Sequence, residues 1–225
     1  MQRNVEGAGI IVHLSFLNGF MRSLQKGRAG RLFYYPTKIS IETGNVCNLK
    51  CPLCPTNDPE YSGIKKGFMK LEDFKIIFDK ISPFVRTLDL FNWGEPFLNK
   101  DLTEMIAYAK KKKPRMRIFI DSNLNVMTEE QVDSIVRNGL DVLKVSCDGV
   151  TQEVYEEYRR GGTVNVVIDN IRKIQKRKEE LSSQTPKIIW KYLVFRHNAH
   201  EVEKARVLSE ELGVDFEPSG MRVNC

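Results

Sequence analysis

Two kinds of hydrophobic spacing alternate along this chain from about residue 38 onward. Short apolar or alternating stretches predict strands, and stretches with apolar residues three and four apart predict helices. The predicted strands are Lys38–Thr43, Arg86–Phe91, Met116–Ile120, Val142–Val145, Ile188–Phe195 and one that begins with Val214–Phe216. The predicted helices cover about residues 71–81, 102–109, 128–136, 153–160, 164–181 and 202–212, and Thr128–Gln131 is a capping box at the start of the third.

This order of elements predicts an α/β fold. Repeated strand–helix units place the strands side by side in one parallel sheet and the helices outside it. We expect a single domain over residues 38–225, preceded by an N-terminal strap or helix over residues 1–37. Within that strap, Gly9–Met21 is apolar but interrupted by polar residues. It either packs on the domain or makes a weak contact with a membrane surface.

A polar cluster follows each of the first five predicted strands. In a barrel of strand–helix units, the chemistry lies at the carboxyl ends of the strands, so these clusters are expected to share one site. The clusters are Cys47–Cys54, Asn92–Pro96, Asp121–Asn123, Ser146–Gly149 and Arg196–Asn198.

The first cluster holds three of the five cysteines of the chain, Cys47, Cys51 and Cys54, in the spacing C-x3-C-x2-C. Three thiolates leave one iron of a [4Fe–4S] cluster without a protein ligand, which opens that iron to a substrate or cofactor. The alternative is a zinc site completed by a distant fourth ligand, His197 or Cys225. Cys147 has no partner motif and is expected to be a small buried apolar residue.

The cysteine spacing after a strand, together with the later motifs, resembles the radical S-adenosylmethionine (SAM) superfamily over about residues 38–221. This resemblance implies a partial (β/α)6, TIM-like barrel. It also implies a [4Fe–4S] cluster on Cys47, Cys51 and Cys54, with SAM on the fourth iron. Reductive cleavage of SAM then gives a 5′-deoxyadenosyl radical that abstracts a hydrogen from the substrate. A flavodoxin or ferredoxin would supply the electron.

The resemblance also implies residues that bind SAM. Trp93–Pro96 is similar to the Gly-Gly-Glu-Pro motif, in which Gly94 and Glu95 would approach the methionine ammonium; Trp93 departs from that motif. Tyr158–Gly162 is similar to a segment of the subfamily with a C-terminal SPASM/Twitch auxiliary-cluster domain, which is absent or truncated here. In that segment, Arg160, with Arg159 in reserve, would bind the SAM carboxylate.

The remaining expected contacts rest on less specific motifs of the same resemblance. Ser146 and Asp148 would bind the ribose or the polar end of the methionine, although a strand-end turn explains Asp-Gly equally well. The other expected SAM or substrate contacts are Leu53, Ser122, Asn123 and Val194.

Composition limits the function classes. The net charge is +6, but the basic runs at residues 110–115 and 173–178 lie at predicted helix ends without interleaved aromatic residues, so we expect solvated faces and no nucleic-acid partner. No apolar run is long enough to predict a transmembrane helix. Clustered thiols imply a reducing compartment, the cytoplasm.

Three hypotheses remain: a radical SAM enzyme with an unidentified substrate, a zinc-binding interaction domain, and a truncated, catalytically silent barrel.

Overall fold

The computed structural model of this protein describes residues 35–57 and 65–220. Six strands in this part of the chain form one parallel sheet in the order of the sequence. They are β1 (Lys38–Ser40), β2 (Thr87–Asp89), β3 (Arg117–Ser122), β4 (Val142–Ser146), β5 (Lys187–Val194) and β6 (Asp215–Gly220). Every neighbouring pair is parallel, with β1 and β6 at the two edges of an open, partial barrel. The predicted fold class is confirmed.

Helices connect the strands and cover one face of the sheet. They are α1 (Leu71–Ile81), α2 (Leu102–Lys112), α3 (Glu129–Arg137), α4 (Gln152–Tyr158), α5 (Val164–Glu180) and α6 (Val202–Glu211). The predicted capping box is present at α3: the Thr128 hydroxyl accepts from Gln131 N, and the Gln131 side chain accepts from Thr128 N. These two bonds satisfy backbone donors that the first turn of a helix leaves unpaired.

The two faces of the sheet differ in chemistry. Toward the helices, alternate strand residues are buried and form the apolar core; they include Leu88, Ile118, Ile120, Leu143, Val145, Ile188, Trp190 and Tyr192. The residues between them point to the opposite, inner face. There, charged side chains such as Asp89, Asp121 and Lys191 replace the apolar layer. The alternation follows from the two-residue repeat of a strand.

One prediction of a solvated face is wrong, and the predictions on the N-terminal strap and its boundary are not tested. Lys110, expected on a solvated face, is largely buried because its Nζ lies 2.6 Å from Asp141 Oδ2 and donates to the carbonyl oxygen of Met116. The strap predicted over residues 1–37 lies almost entirely outside the described residues. The domain boundary at residue 38 stays a prediction. No helix in the described ranges is both long and apolar enough to cross a membrane.

Candidate active site

The cysteine loop lies at the carboxyl end of β1, beside the loop that follows β2. Glu95 N donates to the carbonyl oxygen of Val46 at 2.8 Å, which ties the two loops together. The approach is closest at Gly94, where an added Cβ would lie 2.9 Å from the carbonyl oxygen of Val46 and would overlap that of Gly44. Only glycine permits backbones to come this close.

Cys47 and Cys54 are partly exposed and Cys51 is buried; all three are free thiols. Burial raises the pKa of the Cys47 thiol to about 11, against the opposing hydrogen bond from Leu49 N. Burial also raises the pKa of Cys51, and the nearby Arg159 charge lowers it. A metal would therefore have to displace protons from these sulfurs.

Glu95 is buried at the centre of the site. Its Oε1 accepts from the Ser122 hydroxyl at 2.7 Å and from Phe97 N at 3.1 Å, and its Oε2 accepts from Asn123 N at 2.8 Å. Burial raises the pKa of Glu95 to about 7, although these three hydrogen bonds oppose the rise. Glu95 is close enough to Cys47 to raise the thiol's pKa. The carboxyl group therefore joins the ends of β2 and β3 next to the cysteine loop.

Asn123 connects the end of β3 to the same loop. Its Nδ2 donates to Asn48 Oδ1 at 2.9 Å and points to Cys47 Sγ at 3.7 Å. Leu49 N lies 3.4 Å from the same sulfur. Two N–H groups thus face Cys47, an arrangement that favours an anionic sulfur.

The arginine beside the cysteines is Arg159, the reserve residue of the sequence comparison. Its Nε lies 2.6 Å from Asp148 Oδ2 in a buried ion pair, and its charge acts on Cys51. Burial lowers the pKa of the guanidinium, but the Asp148 carboxylate more than offsets this, so the pKa is raised. Arg160, the first choice, is exposed, and its backbone oxygen accepts from Lys50 N.

Asp148 itself is fully buried behind Arg159, and its other oxygen accepts from Leu193 N at 2.7 Å. Each of its two oxygens thus has a partner within the protein, and its expected contact with SAM stays a prediction. Ser146 lies on the inner face and donates to Asp121 Oδ1 at 2.8 Å. That bond engages the hydroxyl expected to bind SAM.

Two of the expected SAM or substrate contacts, Leu53 and Val194, lie in different surroundings. Leu53 is 63% exposed between Cys51 and Cys54, whereas Val194 is partly buried against the core at the end of β5. Cys147 is fully buried, and its thiol donates to the carbonyl oxygen of Gly149 at 3.4 Å.

Sequence reasoning missed a row of three rings near the thiols. Tyr158 and Phe195 are tilted against each other with ring centroids 4.6 Å apart, and His197 stacks on Phe195 at 5.3 Å. It also missed Glu42, whose carboxylate accepts from Trp93 N at 3.0 Å. Glu42 and Phe195 lie at the ends of predicted strands, and that position is the only local signal that could have pointed to them.

The donor set suits an iron–sulfur cluster. In the described ranges, no three His, Cys, Asp or Glu side chains meet closely enough to hold one metal ion. The three thiols are instead distributed along one loop, and in a cubane cluster each thiolate binds a different iron. Asn123, Leu49 N and Arg159 surround the sulfurs with N–H groups and positive charge, which stabilise such a cluster's thiolates.

Comparison with known protein families identifies the family of this chain. The model of the Radical SAM superfamily matches residues 41–186, which include the cysteine loop, Glu95, Asn123 and Arg159. This chain belongs to the radical SAM superfamily. The chain is 33% identical over 115 residues to the Fe-coproporphyrin III synthase of Methanosarcina barkeri, which covers 50% of this chain and 27% of that protein.

Two further relatives are enzymes whose names describe other reactions. The AdoMet-dependent heme synthase of Methanosarcina barkeri is 24% identical over 179 residues, 79% of this chain and 48% of that protein. The GTP 3′,8-cyclase of Clostridium botulinum is 27% identical over 143 residues, 60% of this chain and 42% of that protein. The chain thus spans about half or less of the length of these curated relatives.

Solved structures share the radical SAM fold at low identity. Streptococcus suis SuiB bound to S-adenosylmethionine superposes with a TM-score of 0.68 at 14% identity, over 84% of this chain and 42% of SuiB. TYW1 with a bound lysine–pyruvate adduct gives a TM-score of 0.61 at 16% identity, over 84% of this chain and 66% of that one. These likenesses support the partial barrel.

Proposed function

We propose that this chain is the core of a radical SAM enzyme. Cys47, Cys51 and Cys54 would hold a [4Fe–4S] cluster, with SAM on its fourth iron. When bound, these groups supply the 5′-deoxyadenosyl radical that abstracts a hydrogen from the substrate. One observation carries the proposal: the three thiols share a strand-end site with a buried carboxyl, Glu95, and the guanidinium of Arg159, whose side chain is largely covered.

Those two charged groups match the two charges of the methionine end of SAM. Glu95 would face the ammonium, and Gly94 would let the backbone lie close to it. Arg159 would bind the carboxylate, because its fork can donate two parallel hydrogen bonds. The ion pair with Asp148 leaves Arg159 other N–H groups for a ligand, so Asp148 acts as a positioning residue.

The other predicted contacts keep lesser roles in this proposal. Ser122 and Asn123 would hold Glu95 and the cysteine loop, and Leu53 and Val194 would border the adenine. Ser146 would face the substrate from the inner face. A reducing cytoplasm and an electron donor such as flavodoxin or ferredoxin fit the same chemistry. Membership of the subfamily with a C-terminal SPASM/Twitch domain, absent or truncated here, stays a prediction.

Anaerobic reconstitution with iron and sulfide tests this proposal. The unaltered chain should bind about four irons and four sulfides, and with dithionite it should convert SAM to 5′-deoxyadenosine. Cys47→Ala should lose iron and cleavage. Cys147→Ala is the matched control, because this buried cysteine lies away from the loop and should leave iron content unchanged.

Two results would overturn the proposal. Uptake of one tightly held zinc and no iron would favour the zinc-binding interaction domain. A stable cluster that never cleaves SAM would favour the catalytically silent barrel.

A further inference from the structure

The inner face of the partial barrel carries charged side chains on neighbouring strands, and three of its aspartates are paired with lysines. Lys38 pairs with Asp89 at 2.9 Å, and Lys191 pairs with Asp121 at 2.8 Å. Toward the edge of the sheet, Lys187 pairs with Asp215.

Lys144, on β4, is a further cation of this face. It lies in the middle of β4, where Leu143 and Val145 on either side are fully buried in the core, so its own side chain points to the inner face. Lys144 is half-buried, and it makes no hydrogen bond or ion pair with any residue of the described ranges.

The register of the sheet explains why Lys144 stays unpaired. Its lateral neighbours are Asp121 on β3 and the apolar Ile189 on β5. Asp121 is already used: its Oδ1 accepts from the Ser146 hydroxyl, and its Oδ2 accepts from Lys191 Nζ. Two ammonium groups therefore lie around one carboxylate, which leaves a local excess of positive charge.

Glu217, on the edge strand β6, lies beside Lys191 in register, but it is exposed and makes no ion pair within the described residues. Solvent screens an exposed charge, so Glu217 does not offset the positive excess around Asp121. A partly buried ammonium without a counter-ion loses hydration and gains no partner, so a bound anion would stabilise its charge. Lysine offers three donors and a compact charge, which suit a carboxylate or a phosphate oxygen.

The position of Lys144 relates this charge to the cysteine site. It precedes Ser146, the last residue of β4, by two positions, which is about 7 Å along a strand. An anionic group bound at Lys144 would thus lie about 7 Å from the strand ends. A small molecule can span that distance, with its other end directed toward the thiols.

We propose that Lys144, assisted by Lys191, binds a carboxylate or phosphate group of the substrate, and that the substrate is therefore an anionic small molecule. This inference rests on the proposed function for the location of the substrate, but the anion site can be measured without turnover.

The test is calorimetric titration of the reconstituted protein with two probes, tripolyphosphate and tricarballylate, at about 0.15 M salt, where long-range charge effects are screened. Lys144→Gln should weaken binding of the preferred probe by about tenfold or more, and Lys144→Arg should retain most of it. The probe that binds more tightly identifies phosphate or carboxylate as the source of the anion.

Lys187→Gln is the matched control, because Lys187 lies on the same face but is paired and more exposed; its effect should stay within about twofold. Asp121→Asn removes the competing carboxylate and should tighten binding, an outcome that misfolding cannot imitate. Equal affinities for Lys144→Gln and Lys187→Gln, or no binding of either probe, would overturn the inference.

SAM cleavage by the unaltered chain is measured in parallel. Cleavage without a Lys144-dependent anion site would remove this inference and leave the proposed function intact. A Lys144-dependent anion site without cleavage would remove the proposed function and leave the anion site established.

Discussion

Asp148 and Arg159 form an ion pair 2.6 Å long, in which the aspartate is fully buried and the arginine side chain is only 14% exposed. The pair connects the end of β4 to the residue that follows α4, and it points the guanidinium at Cys51. Breaking a buried pair leaves an uncompensated charge and costs more than the pair's net contribution.

We therefore expect Arg159→Met to lower the free energy of unfolding by about 3–5 kcal/mol and to weaken SAM binding by at least about tenfold. Arg160→Met is the matched control, because its side chain is exposed; unfolding should change by less than about 0.5 kcal/mol and SAM affinity should not change. Denaturant unfolding and SAM titration measure both. If Arg160→Met alone weakened SAM binding, the carboxylate contact would return to Arg160.

Gly94 and Gly67 form a second matched comparison. A Cβ at Gly94 would overlap the backbone of Gly44, whereas a Cβ at Gly67 would meet nothing within 4 Å. Gly94→Ala should therefore destabilise the protein by roughly 1–3 kcal/mol and reduce iron retention by displacing the cysteine loop. Gly67→Ala should be neutral or stabilise by up to about 1 kcal/mol. Thermal unfolding and iron analysis measure the difference, and equal behaviour of the two variants would contradict it.

The stability of the protein should depend on pH through Glu95. Burial raises the pKa of this carboxyl to about 7 from an ordinary value of 4.5, so the folded state holds the proton more tightly than the unfolded chain. Its contribution to stability is present below pH 4.5 and is lost as the pH rises through about 7. The loss is roughly 3 kcal/mol at most.

Glu95→Gln should remove that loss. The measurement is the free energy of unfolding from about pH 4 to pH 8 for both proteins, and the difference between them should change in favour of Glu95→Gln as the pH rises. Gln also replaces one hydrogen-bond acceptor with a donor, but that cost does not vary with pH. Parallel pH profiles would show that Glu95 does not titrate in this range.

The hydrogen bond from Asn123 should tune the proposed cluster. Its Nδ2 lies 3.7 Å from Cys47 Sγ, and N–H groups directed at cluster sulfurs stabilise the reduced, more negative state. Asn123→Ala should therefore make the reduction potential of the reconstituted protein more negative. Asn138→Ala, at the end of α3, should leave the potential unchanged. Spectroelectrochemical titration decides, and a more positive potential in Asn123→Ala would contradict this role.

Local patterns in the sequence were enough for the elements and their order. The helical spacing of apolar residues predicted α1 over residues 71–81, as observed, and Thr128 and Gln131 marked the start of α3. Strand bounds were less accurate: β1 ends at Ser40 and not at Thr43, while β3 continues to Ser122. Strand ends depend on pairing with a neighbour, which a local pattern does not contain.

The sequence by itself determined the parallel α/β sheet and the collection of polar clusters at one edge, because the periods of strands and helices and the chirality of their connections are local properties. Only the tertiary structure gave different surroundings to Arg159 and Arg160, which are adjacent in sequence and identical in chemistry. One meets the carboxylate of Asp148, eleven positions away, and the other meets solvent. Likewise, the register of β3, β4 and β5 pairs Lys191 with Asp121 and leaves Lys144 without a carboxylate. Charge at a site depends on which groups meet across strands, and that is fixed by packing over long sequence separations.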